Sequence, residues 1–145
     1  MQGVKKFLSA EEEQEIIAAI HTAEKNTSGE IRIHVESKSE KDVYERALEV
    51  FQQLEMYTTE QRNGVLIYIA IDDKSFVICG DEGIDAIVPE DFWNTTKDTM
   101  QQYFKQGNFK EGIVAGVLKA GEELKAHFPW QQNDEDELSN EISKG

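Results

Sequence analysis

The run Val65–Ile71, VLIYIAI, sets the strongest limit on what this chain can fold into. It is apolar without a break and rich in β-branched residues. A strand with one wet face would alternate, so this pattern predicts a central strand covered on both faces, as in sheets sandwiched between helices. Asp72, Asp73 and Lys74 follow as a tight turn, and SFVIC (Ser75 to Cys79) predicts the next strand. So short a connection permits only an antiparallel hairpin.

The flanking segments supply the covering layers. Ser9 and Glu12 have capping-box spacing, and Ile16, Ile17, Ile20 and Ala23 recur three or four apart, which predicts a helix from Ser9 to Lys25. Gly29 breaks the chain within NTSGE. EIRIHVE then alternates, with Ile31, Ile33 and Val35 on one face and Arg32 and His34 on the other, as a strand with one better-buried face does. A second helix is predicted from Asp42 to Met56, with Val43, Ala47, Val50, Phe51 and Leu54 inward. A third begins near Pro89, which suits a first helical position, and carries Phe92, Trp93, Met100, Tyr103 and Phe104. The last runs from Phe109 to His127 and ends at Pro129. Gly112, Gly116, Ala120 and Gly121 would let it lie close to the sheet.

The order α-β-α-β-β-α-α contains one β-α-β crossover, so the first two strands are parallel. The expected fold is a three-layer α/β/α sandwich around a small mixed sheet of at least three strands. A short fourth strand fits between Glu82 and Val88. Residues 1–130 read as one domain. Residues 131–145 read as an acidic, disordered tail, with Asp134, Glu135, Asp136, Glu137 and Glu141 against Lys144.

Net charge is −14, and −10 without that tail. Such a surface repels nucleic acid and anionic lipid and attracts cations or a basic protein surface. It also favours a monomer. Cys79 is the single cysteine and lies in an apolar run, so no internal disulfide can form and a small buried hydrophobe is expected. The sequence shows neither a signal-peptide pattern nor a membrane-spanning stretch, which points to the cytoplasm.

The predicted strand directions sort the acids onto two opposite sheet edges. Glu36, Asp72 and Asp73 fall outside the carboxyl ends of the parallel strands, where open α/β sheets bind ligands. Glu30, Asp81, Glu82 and Asp85 fall at the other edge. Carboxylates on neighbouring loops are the hard oxygen ligands that Ca²⁺ and Mg²⁺ take. Each also has a plainer role. Asp72 and Asp73 are ordinary turn residues, Glu82 and Asp85 suit the start of a helix, and Glu30 suits a solvated strand end. The three histidines lack metal-ligand spacing, Gly80-x-x-Gly83 is too short a motif for a phosphate loop, and no serine stands in a nucleophile elbow.

Taken together, NTSGEIRIHVE, RNGVLIYIAIDDKSFVICGDEGID and YFKQGNFKEGIVAGVLKAGEEL resemble the signature stretches of the TPM-domain family. That family includes thylakoid-lumen proteins associated with photosystem II repair and many bacterial proteins. The resemblance spans Phe7 to Phe128 and implies the same α/β/α sandwich. It implies divalent cation binding, with Asp73 and Lys74 at the acid and base of the hairpin turn and Asp85 at the acid after the glycine motif. It implies an acid phosphatase activity for plant members, which would run through a bound metal polarising the phosphate and activating water. The expected function is weak binding of Ca²⁺ or Mg²⁺. A metal-dependent phosphatase and an acidic protein-interaction module are the alternatives.

Overall fold

The computed structural model describes residues 8–130, 138 and 141–144. Helix α1 spans Ala10–Glu24 and opens on a complete capping box: Ser9 Oγ accepts from the Glu12 amide at 3.1 Å, and the Glu12 carboxylate accepts from the Ser9 amide at 2.9 Å. Strand β1 is Glu30–Glu36 and helix α2 is Val43–Gln53, capped by the Asp42 carboxylate. After a 3₁₀ turn at Met56–Thr58, strands β2 (Gly64–Ala70) and β3 (Ser75–Gly80) form the hairpin. A single helical turn, α3 (Glu82–Asp85), precedes α4 (Asn94–Lys105) and α5 (Phe109–Lys125), and a two-residue strand β4 is Ser143–Lys144.

Among the described residues the sheet has the order β3-β2-β1-β4, with β1 parallel to β2 and to β4 and β3 antiparallel to β2. Every residue of β2 is buried, as the unbroken apolar run requires. Ile31, Ile33, Val35, Val65, Ile67, Ile69 and Ile78 face one layer with Ile16 and Ile20 of α1, Met100 of α4, and Ile113, Val117 and Leu124 of α5. Leu66, Tyr68, Ala70 and Cys79 face the other with Ala47, Val50 and Phe51 of α2. The fold is an α/β/α sandwich.

Four expectations change. The segment Glu82–Val88 is not a strand: Asp81 caps a helical turn there, its carboxylate accepting from the Glu82 amide at 2.8 Å. The fourth strand comes instead from the segment read as a disordered tail. Ser143 and Lys144 pair with His34 and Val35, and Leu138 is buried in the α2-side core, where its amide donates to Glu30 at 2.5 Å. The acidic run 134–137 lies outside the described residues. Helix α4 starts at Asn94 rather than near Pro89, since the 89–93 stretch forms separate turns. Lastly, two glycines of α5 face helices and not the sheet. A methyl group on Gly116 would come within 2.4 Å of Met100 Sδ, and one on Gly121 within 2.7 Å of Ala23 Cβ.

No helix among the described residues is long and apolar enough to cross a membrane. Cys79 is buried, and burial pushes its thiol up to about 11, so it stays protonated and inert.

Candidate functional site

The carboxyl ends of β1 and β2 meet the start of β3 along one row, Glu36–Ala70–Ser75. The β1–β2 ladder runs on past the strands: the Ile71 amide donates to Glu36 O at 3.0 Å and the Asp72 amide to Ser37 O at 2.6 Å. The hairpin turn is thereby stitched to the loop that leads into α2. The Asp73 carboxylate extends the stitching by accepting from the Ser39 amide at 2.8 Å. Asp72 and Asp73 are exposed, and among the described residues neither is in an ion pair.

Glu36 is in a different situation, although it sits on the same edge. It is 4% exposed. Arg46, from α2, donates to both of its oxygens at 2.9 Å, His34 Nε2 donates to Oε1 at 3.0 Å, and the Tyr68 hydroxyl donates to Oε2. Burial by itself would raise the Glu36 carboxyl, but the hydrogen bonds from Arg46, Tyr68 and His34 outweigh it and hold the group at about 2. Burial lowers the His34 imidazole, against the pull of Glu36, so the ring is neutral. A carboxylate can only accept, so Nε2 carries the proton and Nδ1 accepts from the Ser143 hydroxyl at 2.9 Å. The Tyr68 ring stacks on His34 with centroids 5.7 Å apart.

Ser143, His34 and Glu36 thus have the hydroxyl–imidazole–carboxylate connectivity of a nucleophile relay. The rest of the network works against that use. Arg46 already pairs the Glu36 charge and Tyr68 donates to the same carboxylate. Burial lowers His34 despite the hydrogen bond to Glu36, so the ring is poorly suited to take up a proton. The network pins β4 and α2 to the sheet.

At the opposite edge Glu30, Asp81 and Glu82 are also engaged. Arg62 donates to both Asp81 oxygens, at 2.8 and 3.0 Å, and to Glu82 at 3.0 Å. Glu30 accepts from the Leu138 amide. Burial and the neighbouring Asp81 charge raise the Asp85 carboxyl. The seven acids therefore fall at two ends of the sheet, as their order in the chain predicts, but they do not make a common ligand set. Among the described residues no group of three or more His, Cys, Asp or Glu side chains is placed to hold a metal. Glu36, Asp81 and Glu82 are held by arginines, and a ligated cation would have to displace those partners. Asp72 and Asp73 are adjacent, exposed and outside any ion pair among the described residues, so a cation there would displace no arginine.

On the other face of the same edge lies a cleft of about 580 Å³, lined by Ile69 to Ile71, Lys74 to Phe76, and residues of α4 and the α4–α5 turn. Sequence reasoning missed it, because its walls come from two segments, 69–76 and 101–109, that are far apart in the chain. It also missed Arg46. The signal was present: Arg46 lies three residues after Val43 and four before Val50, on the inward stripe of α2, and a base there needs an acid on the sheet below.

Comparison with known proteins adds the family. The TPM domain profile matches residues 4–123. The chain belongs to the TPM-domain family. This TPM domain is similar to the BA42 protein of the psychrophilic bacterium Bizionia argentinensis, whose NMR structure has 56% identity and a TM-score of 0.93, with 100% of each chain covered. Two more distant solution structures share the fold alone. The N-terminal domain of a P. gingivalis protein has 18% identity and a TM-score of 0.68, covering 88% of this chain and 83% of that one. That of the cg2496 protein from Corynebacterium glutamicum has 12% and 0.63, covering 95% and 80%. A search of curated proteins finds no match.

Proposed function

We propose that this TPM domain binds a divalent cation, Ca²⁺ or Mg²⁺, weakly, in the loops outside the carboxyl ends of β1 and β2, with Asp72 and Asp73 as its carboxylate ligands. The observation that carries the reading is a contrast among acids. Glu36, Asp81 and Glu82 each bond to an arginine and Glu30 is buried, whereas Asp72, Asp73 and Asp85 are exposed and outside any ion pair among the described residues. Of these three only Asp72 and Asp73 are adjacent. Asp73 also already spans to Ser39, which draws the second loop within reach. Two carboxylates with carbonyls and water suffice for a weak site of this kind. Hydrolysis of a phosphate ester there would need a base, and His34, two residues from Glu36, is buried with both nitrogens bonded.

The test is a CaCl₂ titration followed by ¹H–¹⁵N NMR at constant ionic strength. Shifts should saturate and cluster at 37–42 and 72–74. They should vanish in Asp72→Asn/Asp73→Asn and persist in Asp81→Asn. Shifts that are diffuse, or centred on 81–85, would refute the assignment.

A further inference from the structure

The cleft on the other face of this edge has a chemistry of its own. Its volume, about 580 Å³, is that of a small-molecule site. Phe104 and Phe76 meet edge to face with centroids 5.2 Å apart, and Phe104 and Phe109 lie 5.6 Å apart. The Phe104 ring is seated against Gly112, where a methyl group would come within 2.6 Å of it. These rings and Ile69 form an apolar wall at the end of the sheet.

The charge at this wall runs against the rest of the molecule. The chain carries 29 acids and 15 bases. Yet the charged residues lining the cleft are Lys74 and Lys105, and no described lining residue is acidic. Both lysines are exposed, and neither is in an ion pair among the described residues, whereas Lys41, Arg46, Arg62, Lys110, Lys119 and Lys144 all are. Lys74 is moreover held at φ +51°, a left-handed conformation that suits glycine or asparagine better. An apolar wall with two uncommitted ammonium groups is complementary to a molecule that is apolar at one end and negative at the other.

We propose that this cleft binds a small amphipathic anion, an apolar chain or ring bearing one carboxylate. Its apolar body lies on Phe76, Phe104 and Phe109, and its carboxylate lies between Lys74 and Lys105. The site is separate from the cation loops: Asp73 bonds toward Ser39, and Lys74, the next residue, lines the cleft.

The test uses sodium decanoate, below its micelle concentration, titrated into the full chain and followed by ¹H–¹⁵N NMR. Decan-1-ol and decyltrimethylammonium serve as controls. Saturable shifts should map to 69–76 and 101–109, with decanoate binding more tightly than either control. Lys74→Gln/Lys105→Gln should weaken decanoate about tenfold, because the charge-assisted hydrogen bonds are lost, and should leave decanol unchanged. Asp72→Asn/Asp73→Asn should retain decanoate binding, which separates this site from the proposed cation site. Equal binding of decanoate and decanol would overturn the proposal, as would shifts elsewhere. Concentration-dependent shifts of the cleft residues without decanoate would also overturn it, by showing that a second copy of the chain covers the wall.

Discussion

Glu36 shows how little a residue's type says about its task. It stands at the edge where a ligand-binding acid would be sought, and the fold uses it to tie three elements together. Arg46 binds it from α2, Tyr68 from β2, and His34 passes the link on to Ser143 in β4. Removing one partner of a buried pair leaves the other charge uncompensated. Arg46→Met should therefore lower unfolding free energy by about 3 kcal/mol in urea titrations. The double variant Arg46→Met/Glu36→Gln should cost less than the two single changes added, because they remove one shared interaction. Additive losses would show that Glu36 and Arg46 act independently.

The same group sets an acid limit. The folded carboxyl of Glu36 titrates at about 2 against an ordinary 4.5, so the unfolded chain binds the proton more readily. Its contribution is complete above pH 4.5 and is lost as pH falls toward 2. His34 adds to this in the same direction. Burial lowers it from 6.5, so protonation favours the unfolded chain and stability begins to fall below pH 6.5. Urea midpoints for the protein should drop in both ranges. Glu36→Gln should abolish the drop between pH 4.5 and 2 that belongs to the carboxyl. An unchanged profile in that variant would assign the acid sensitivity to other groups.

At the scale of elements, the parts that were legible in the sequence are those whose signal is local. The capping box placed α1, the alternation of EIRIHVE placed β1, and the unbroken run placed β2 at the centre. The hairpin followed from the length of its turn. The misread parts depend on partners distant in the chain. Ser143 and Lys144 have no strand pattern of their own, and they become a strand because β1 offers an open edge and His34 a hydrogen bond. Leu138, alone among acids and polar residues, looked like part of a solvated tail. Its burial at 8% exposure makes it a core residue of the α2 layer. Leu138→Ala should cost about 2 kcal/mol by the same urea assay, whereas a residue in a solvated tail would cost nothing measurable. The α5 glycines were recognised as close-packing positions, but pattern alone could not say against what. Since Gly116 abuts the Met100 side chain, Gly116→Ala should overpack the α4–α5 contact and cost about 1–3 kcal/mol. A change within 0.5 kcal/mol would mean that Met100 moves aside freely.

Over the whole molecule, the charge of −14 confuses any test of cation binding. A chain so acidic is destabilised by its own repulsion, so every cation raises its stability by screening, whether or not it has a site. The two effects differ in range and valence. Screening follows ionic strength, and its Debye length falls to about 10 Å at 0.1 M. Occupation of a site follows the concentration of one ion and saturates. Melting temperature should therefore rise with NaCl and level off near physiological ionic strength. In that background, millimolar CaCl₂ should raise it further, while an equal increment of ionic strength from NaCl should not. Asp72→Asn/Asp73→Asn should remove this second rise and leave the first, since it takes only two of the 29 acids. If CaCl₂ and NaCl at equal ionic strength give the same curve, the acidic surface accounts for the cation response and the loops at the end of β2 hold no ion.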